Sequence, residues 1–254
     1  MRIDRTFVAI ALSLALFSGP GVTAPAANEP AFVKAAVADP HRPKGDTDRD
    51  ADRLPLVMLG FSGIKPGDTV AELVPAGGYS TRLLSAAVGP KGHVYTINIA
   101  ALSQNIKDQT KPLLADPNFS NVSYTEQNLS NLKVPELVDL VWTAQNYHDL
   151  KNMGQFFADT NAMNKAIFAA LKPGGLYVII DHVAEPGSGA RDTGTLHRID
   201  PELVKKEVLA AGFQFVGESK ALGNPNDPHT GRVPGQGNIG DKSDKFFFKF
   251  RKPR

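Results

Sequence analysis

The stretch Thr69–Leu84, TVAELVPAGGYSTRLL, decides the fold. A short apolar strand ends in the carboxylate of Glu72, and a Gly-Gly turn at Gly77 and Gly78 leads into an apolar helix. The strand brings the carboxylate to the carboxyl edge of a sheet, and the glycines let the backbone pass close to a ligand. The helix, from about Ser80, points free N–H groups at the same place. This layout predicts a site for a nucleotide-type ligand.

Short apolar runs alternate with helical patterns beyond this stretch, which predicts parallel strands joined by crossover helices. Seven strands and their helices account for nearly all of the chain after residue 49. The predicted strands are Thr69–Val74, His93–Ile97, Val122–Thr125, Leu137–Thr143, Leu176–Asp181, Phe213–Ser219 and Lys245–Phe250. The predicted helices are Arg49–Leu59, Ser80–Val88, Ala101–Leu114, Met153–Leu171 and Pro201–Ala211.

Composition narrows the class of protein. The 254 residues are 42% hydrophobic and 21% charged, which predicts one large globular domain. The 28 basic and 26 acidic residues give a net charge of +2 without a dense Lys/Arg run, so nucleic acid is not an expected partner. The absence of cysteine excludes disulfides, thiolate metal sites and a cysteine nucleophile.

The N-terminus has the pattern of a bacterial secretory signal. Arg2 and Arg5 precede the apolar run Phe7–Phe17, and small residues follow it. The run is far shorter than the roughly 20 apolar residues that a membrane-spanning helix needs. We therefore predict a signal peptide over residues 1–26, cleaved after Ala26, and a periplasmic or secreted protein with no stable membrane span. Residues 27–48 are predicted to be a linker, and residues 49–254 the folded domain.

Two long polar segments are predicted near the ligand edge of the sheet. They are Ala184–Asp200 and Ala221–Asp244, and neither has a helical period. Connections of this length are either functional or disordered. We expect both to form a lid over the pocket.

The sequence resembles the class I S-adenosylmethionine-dependent methyltransferases over roughly Arg49–Pro253. The matching landmarks are VAELVPAGGYSTRLL, VDLVWTAQNYHDL and LKPGGLYVIID. The resemblance is closest to a bacterial group of predicted methyltransferases that share a segment such as DHVAEPGSGARDTGTLHRIDPELVKKEVLAAGF. It implies a Rossmann-like seven-stranded sheet with helices on both faces and an antiparallel last strand. It also implies S-adenosylmethionine as cofactor and a small-molecule acceptor.

Motif matching places Glu72, Gly77 and Gly78 beside the methionine part of the cofactor. The family pattern has glycines two, four and six residues after the acidic residue, and this chain has Val74, Ala76 and Gly78 there. Side chains at the first two positions narrow the approach of the backbone to a ligand. Pro75 and the Gly-Gly pair are an alternative way to form an equivalent turn.

Three further residues are candidates for the cofactor site. Asn98 ends the second strand, where a carboxylate commonly holds both ribose hydroxyls, and asparagine keeps only one acceptor. Asn128 follows the third strand, where adenine is contacted, and it is also a common turn former. Tyr79 is placed to face a sulfonium through a cation–π contact, with core packing as the alternative.

Candidates for the reacting end follow the fourth and fifth strands. Asn146 and Tyr147 are expected to orient the substrate, with Gln145 beside them, and His148, Asp181 and His182 are the candidate catalytic residues. In the next loop, His197 and Arg198 are candidate substrate ligands for an acidic acceptor, or they knit the loop before the helix at Pro201. A metal ion would be suited by four residues if their side chains converged: His148, Asp149, Asp181 and His182. No close spacing of histidines supports such a site, so no metal is predicted.

Two functions fit this sequence. The first is methyl transfer to a small molecule. The second is an exported, non-catalytic ligand-binding protein that retains the fold, and it is suggested by Val74, Ala76 and Asn98 at positions where the family has other residues. A serine hydrolase is not expected, because the G-x-S-x-G elbow is missing.

Overall fold

A computed structural model describes residues 29–233 and 242–254 of the chain, so the predicted signal peptide lies outside the described residues. Within them, seven strands form one sheet in the order β3-β2-β1-β4-β5-β7-β6. The β1–β5 neighbours pair in parallel, and β7 runs antiparallel to both β5 and β6. The predicted α/β class, the helices on both faces and the antiparallel last strand are confirmed. The strands are β1 Thr69–Leu73, β2 His93–Ile99, β3 Val122–Gln127, β4 Val138–Ala144, β5 Leu171–His182, β6 Gln214–Glu218 and β7 Lys245–Arg251.

The helices connect these strands and flank the sheet. The α-helices are α1 Ala31–Val37, α2 Lys44–Thr47, α3 Asp50–Arg53, α4 Pro55–Ser62, α5 Tyr79–Val88, α6 Gln104–Lys107, α7 Lys111–Leu114, α8 Thr160–Ala170, α9 Thr193–Leu196 and α10 Pro201–Ala210. Short 3-10 helices span Gly89–Lys91, Asp108–Thr110, Pro117–Phe119, Leu129–Asn131 and Asp149–Lys151.

Three predicted helices are shorter or broken, each for a local reason. The predicted Arg49–Leu59 helix divides into α3 and α4 at Leu54, which takes a left-handed conformation with φ 50° before Pro55. The predicted Met153–Leu171 helix begins only at Thr160, because the Asp159 side chain accepts the N–H groups of the first turn. The predicted Ala101–Leu114 helix is interrupted by a 3-10 turn, after which α7 has a proline in its first turn.

The sheet separates two hydrophobic cores. One core includes Leu73, Tyr147 and Ile179 with residues of α8 and α10, and the other includes Val70, Trp142 and residues of α1, α4 and α5. Because both faces are covered, the central strands are apolar without alternation, which is typical of parallel sheets. The layers leave the carboxyl ends of β1, β2 and β4 open at one edge.

The linker predicted over residues 27–48 is wrong where the structure describes it. Residues 31–47 contain α1 and α2, and Val33 and Ala36 of α1 are buried in the second core. The pattern was missed because α1 has seven residues and α2 only four, which is too short to show an amphipathic period. This N-terminal segment, residues 31–53, therefore packs on the sheet domain as part of it.

None of the helices in the described ranges has both the length and the apolar character needed to cross a bilayer.

Candidate functional site

A cavity of about 510 Å³ opens at the carboxyl ends of β1, β2 and β4. Parallel α/β sheets bind their ligands at this edge, and the volume lies in the range of roughly 300–1,000 Å³ that small-molecule sites occupy. Its lining residues are Asp46, Arg49, Arg53, Glu72, Leu73, Val74, Pro75, Ala76, Gly77, Tyr79, Ser80, Asn98, Ile106, Gln109, Ala144, Gln145, Asn146, Asp149 and Phe156.

The turn after β1, residues 74–78, forms one wall of the cavity and has Val74 and Ala76 at two positions where the family pattern has glycine. Val74, Ala76 and Gly78 all have positive φ, of 52°, 48° and 82°. A side chain in this left-handed region costs about 1–2 kcal/mol per residue, and more for a β-branched one. The chain therefore keeps the backbone geometry at the expense of strain. Gly78 itself is the N-cap of α5 and lies behind the cavity wall, where an added Cβ would lie 2.7 Å from Leu113 Cδ1.

Glu72 is the second-last residue of β1, and it lines the cavity while its carboxylate is bound to the protein. It is 3% exposed and accepts a hydrogen bond of 2.6 Å from Thr81 Oγ1. Burial raises its pKa to about 7, against the opposing effects of the Thr81 hydrogen bond and the Arg82 charge. A cationic group entering the cavity would stabilise the ionised form.

The two candidate asparagines occupy different environments. Asn98 is fully buried at the end of β2 and lines the cavity; its Oδ1 accepts from Ile99 N, and its Nδ2 has no acceptor of good geometry among the described residues. Asn128 is exposed, does not line the cavity and accepts from Ser130 N as the cap of a 3-10 helix. The structure thus brings Asn98 to the site, whereas Asn128 acts as a turn former.

Tyr79 joins the N-terminal segment to the cavity. Its hydroxyl donates a hydrogen bond to Asp50 Oδ1 at 2.8 Å. The Asp50 carboxylate also accepts hydrogen bonds from both terminal nitrogens of Arg42. Burial and the Asp50 contact raise the pKa of this phenol. The guanidinium groups of Arg42, Arg49 and Arg53 lie 5.5, 5.8 and 4.6 Å from the ring centroid. The ring of Tyr79 therefore already makes cation–π contacts with arginine side chains of the N-terminal segment.

Two more contacts fix the N-terminal segment over the cavity. Arg82 of α5 donates to Asp46 Oδ2 at 3.0 Å, and Arg53 donates to Gln145 Oε1 at 3.0 Å. Gln145 follows β4 with φ 59°, a strained conformation that turns the chain at the sheet edge. The N-terminal segment, of which residues 31–48 were predicted to be linker, thus supplies one side of the cavity.

Asn146 lies on the wall and also holds it together. Its Nδ2 donates to Leu73 O at 3.1 Å, and its Oδ1 accepts the Thr143 hydroxyl. It ties the turn after β1 to the end of β4.

A histidine cluster lies next to the cavity and consists of His148, Asp149, Asp181 and His197. His148 Nδ1 lies 2.7 Å from Asp181 Oδ1, and its backbone N–H donates to Asp181 Oδ2 at 2.8 Å. On its other side, His148 Nε2 lies 3.3 Å from Asp149 Oδ1 and 3.3 Å from His197 Nδ1. Asp149 is the member of this cluster on the cavity wall.

The charges of the cluster depend on one another. Burial alone would lower the pKa of His148, but the carboxylates of Asp181 and Asp149 raise it to about 10. Burial opposes ionisation of Asp149, yet hydrogen bonds and charge from His148 and His197 lower its pKa. Burial lowers the pKa of His197, assisted by the charges of His148 and Arg232. The two neighbouring carboxylates thus favour the protonated form of His148.

Two candidate catalytic residues do not reach the cavity. Asp181 is fully buried and accepts the N–H groups of His148 and His182, so it positions His148. His182 is 4% exposed, and its Nδ1 lies 2.7 Å from Ser243 Oγ. Neither residue lines the cavity, and the polar atoms of both are directed to protein groups, so the structure does not bring these two predicted bases to the site.

Two candidate substrate ligands are also structural. Tyr147 is fully buried in the first core, where its hydroxyl donates to Glu207 and accepts from Asn164. Arg198 is fully buried, and both its terminal nitrogens donate to Asp227 at 2.9 and 3.0 Å. Arg198 therefore cannot clamp an acidic substrate, because its charge is already paired.

The predicted lid is not over the cavity in the described residues. The Arg198 pair joins the first polar segment to the second, and Val233 N donates to Leu196 O at 2.9 Å. No residue of 184–200 or 221–233 lines the cavity. These C-terminal loops, residues 184–200 and 221–233, are held to each other.

Sequence reasoning missed the cavity residues of the N-terminal segment, Asp46, Arg49 and Arg53. The signal was the charge-rich string HRPKGDTDRDADR itself, since its acidic and basic residues find partners on α3 and α5. The sequence pattern did not predict three further cavity residues, because they lie on connections between strands: Ile106, Gln109 and Phe156.

Comparison with known sequences finds distant relatives. No family model matches the chain. The chain is 28% identical over 167 residues to the ubiquinone/menaquinone biosynthesis C-methyltransferase UbiE of Vibrio cholerae. The match covers 62% of this chain and 59% of that protein, so the chain spans less than two thirds of the relative's length.

Solved structures show the same fold. A SAM-dependent methyltransferase from Aquifex aeolicus superposes with a TM-score of 0.55 at 18% identity, over 82% of this chain and 95% of that one. The glycopeptide N-methyltransferase MtfA complexed with S-adenosylmethionine gives 0.53 at 13% identity, over 78% and 86%. The [4+2]-cyclase SpnF gives 0.58 at 17% identity, over 80% and 82%. The chain therefore has the fold of the SAM-dependent methyltransferases.

Proposed function

We propose that this chain transfers a methyl group from S-adenosylmethionine to a small-molecule acceptor. The observation that carries the proposal is the turn after β1, where Val74, Ala76 and Gly78 all have positive φ. Two of these positions hold residues for which the left-handed conformation is unfavourable. Backbone strain of this kind concentrates at ligand-binding and catalytic sites, so it supports a functional turn. The sequence likeness to a C-methyltransferase and the shared fold support the same conclusion.

The residues present fit this donor. Glu72 offers a buried carboxylate to the amino group of the donor, and Asn98 lines the cavity near the end of β2, where its amide would hold a ribose hydroxyl. Ile106 and Phe156 supply apolar surface on the same cavity. When bound, the donor supplies an electrophilic methyl group on a sulfonium.

The acceptor side of the cavity is polar. Arg49, Arg53, Gln145 and Asp149 lie on it, so we propose a polar acceptor that these side chains orient. The contribution of the protein to methyl transfer is mainly the in-line positioning of the two reactants. Asp149 replaces the three buried candidates as the ionisable group nearest the acceptor, and His148 and Asp181 hold it in place.

The test is calorimetric titration of the folded protein with S-adenosylmethionine and then with its demethylated product. We expect micromolar binding of both. Gly78→Val should abolish it, because Gly78 has φ 82° and a side chain there meets Leu113. Gly67→Val is the matched control, because Gly67 has a similar φ of 86° just before β1, does not line the cavity, and leaves an added Cβ with nothing within 4 Å. It should bind like the wild type. No binding by a folded wild type would contradict the proposal.

The alternative function is ligand binding without methyl transfer. It is favoured by Asn98, which keeps only one acceptor for the ribose, and by the fold of SpnF, whose described activity is cyclisation. Asn98→Asp separates the two functions. Under methyl transfer, donor affinity should hold or rise by about tenfold, as expected for one charged hydrogen bond. Under the alternative, neither protein binds the donor.

We also propose that the chain belongs to the bacterial methyltransferase group sharing the DHVAEPGSGARD segment and that it is exported. The support for export is the pattern of Arg2, Arg5 and Phe7–Phe17. The mass of the protein purified from the periplasm should correspond to a chain beginning at Ala27. Recovery of the full chain in the cytoplasm would contradict export.

A further inference from the structure

Three side chains of the histidine cluster present ligand atoms to one point. The Nε2 of His148, the Oδ1 of Asp149 and the Nδ1 of His197 form a triangle with edges of 3.3, 3.1 and 3.3 Å. Among the described residues, this is the group of three whose geometry suits a metal ion. Spacing along the chain does not predict this group, because His197 lies 49 residues after His148.

The edges of this triangle match a coordination polyhedron. A tetrahedral ion with ligand distances of about 2.0–2.1 Å holds its ligand atoms roughly 3.3–3.4 Å apart, and an octahedral ion holds adjacent ligands about 2.9 Å apart. The observed edges lie nearer the tetrahedral value. No large movement of the three side chains is therefore needed to accept an ion.

The surroundings orient the ligands as known metal sites do. Asp181 accepts from His148 Nδ1 at 2.7 Å, which leaves the Nε2 of the ring for the ion. A carboxylate behind a ligating histidine is the common second layer of zinc sites. His197 follows α9 with φ 54°, and this strained turn directs its ring toward His148.

We propose that His148, Asp149 and His197 bind a divalent transition-metal ion of the zinc type, with an open coordination position toward the cavity. Three protein ligands and one open position are typical of catalytic rather than structural zinc sites. Asp149 lies on the cavity wall, so an oxygen of a molecule in the cavity can reach the open position. Binding displaces the proton from His148 Nε2 to solvent.

One neighbour opposes the ion. The Nη2 of Arg232 lies 2.7 Å from His197 Nε2, and an arginine nitrogen only donates. When Nδ1 of His197 binds the ion, Nε2 carries the proton, and Arg232 must turn away. Arg232 is exposed, so this movement leads into solvent. Removing Arg232 should therefore tighten metal binding.

The test is calorimetric titration of the full-length chain, without a polyhistidine tag, with Zn²⁺, and visible spectroscopy with Co²⁺. We expect one site, with the intense visible bands of four-coordinate Co²⁺. His197→Ala should weaken Zn²⁺ binding by more than about 100-fold, because one of three ligands is lost. Arg232→Ala should strengthen it several-fold.

His229→Ala is the matched control. His229 also pairs with a single carboxylate, and its side chain is 24% exposed against 22% for His197. It should leave Zn²⁺ affinity unchanged. The proposal is overturned if the folded wild type binds neither ion, if His197→Ala binds as the wild type does, or if His229→Ala weakens binding equally.

The use of the ion on an acceptor rests on the proposed function, whereas its binding does not. A bound ion would lower the pKa of an acceptor hydroxyl and so prepare it for methylation. Titrating the same samples with S-adenosylmethionine distinguishes the two claims. Zn²⁺ binding without donor binding would overturn the proposed function alone, and donor binding without Zn²⁺ binding would overturn the metal site alone.

Discussion

The N-terminal segment lines the cavity, whereas the C-terminal loops do not, which is the reverse of what their sequences predict. Residues 27–48 are predicted to be a linker, but residues 31–47 contain two helices, and the N-terminal segment lines the cavity through Asp46, Arg49 and Arg53. The long loops 184–200 and 221–233 read as a lid, but they are joined to each other by Arg198 and Asp227. The position of a charged segment in the fold depends on which residues its charges pair with, and spacing along the chain does not predict those pairs.

The largest expected effect concerns the C-terminal loops. Arg198→Ala leaves the buried carboxylate of Asp227 without a counter-charge, and should lower the free energy of unfolding by about 3–5 kcal/mol. Arg191→Ala is the control in the same loop, because the Arg191 side chain is 60% exposed and its ion pairs are screened by solvent, so its loss should change the stability little. Urea unfolding measures both. Equal losses would mean that the loops are not held by this pair.

The next prediction concerns Glu72 on the cavity wall. Its pKa is raised to about 7 in the folded protein from an ordinary value of 4.5, so the folded state binds the proton more tightly. The stabilisation is present below pH 4.5 and is lost as pH rises through 7. Relative to Glu72→Gln, the wild type should lose about 2 kcal/mol between pH 5 and pH 8. Parallel curves for the two proteins in urea unfolding would show that Glu72 titrates normally.

The attachment of the N-terminal segment gives a smaller effect. Tyr79→Phe removes the hydroxyl that donates to Asp50, a hydrogen bond to a charged group, and should cost about 1–2 kcal/mol of unfolding free energy and weaken donor binding. Tyr95→Phe is the matched control, because its hydroxyl donates to Glu136 in an exposed position. Thermal unfolding and donor titration should change little for the control. Unchanged donor affinity in Tyr79→Phe would separate the segment from the site.

The smallest effect concerns strain in the turn after β1. Ala76 is exposed and has φ 48°, so Ala76→Gly should stabilise the protein by about 1 kcal/mol. Ala115→Gly provides the contrast, because Ala115 is exposed with φ −84° and glycine there should destabilise by up to about 1 kcal/mol. Chemical unfolding that gave both changes the same sign would show that the turn is not strained.

Much of the fold was predictable because apolar strands alternate with longer helices. β1, β2, β4 and β7 lie within two residues of their predicted ends, and Glu72 and Asn98 were placed at the correct edge. Short elements such as α2 escaped, since four residues show no period.

The chemical roles after β4 and β5 were less predictable. Consecutive residues there point to different layers: Tyr147 enters the core, His148 turns to Asp181, and Asp149 reaches the cavity. Spacing along the chain cannot assign these directions, because the turn at Gln145 has an unusual φ of 59°. The same limit concealed the partnership of Arg198 with Asp227.

The most direct test of the account is a crystal structure of the protein with S-adenosylhomocysteine, the demethylated product of the donor. We predict its density in the cavity, with the ribose at Asn98 and the amino group near Glu72. Well-ordered protein with an empty cavity at saturating ligand, or ligand bound elsewhere, would contradict the claim that the strained turn after β1 is a methyl-donor site.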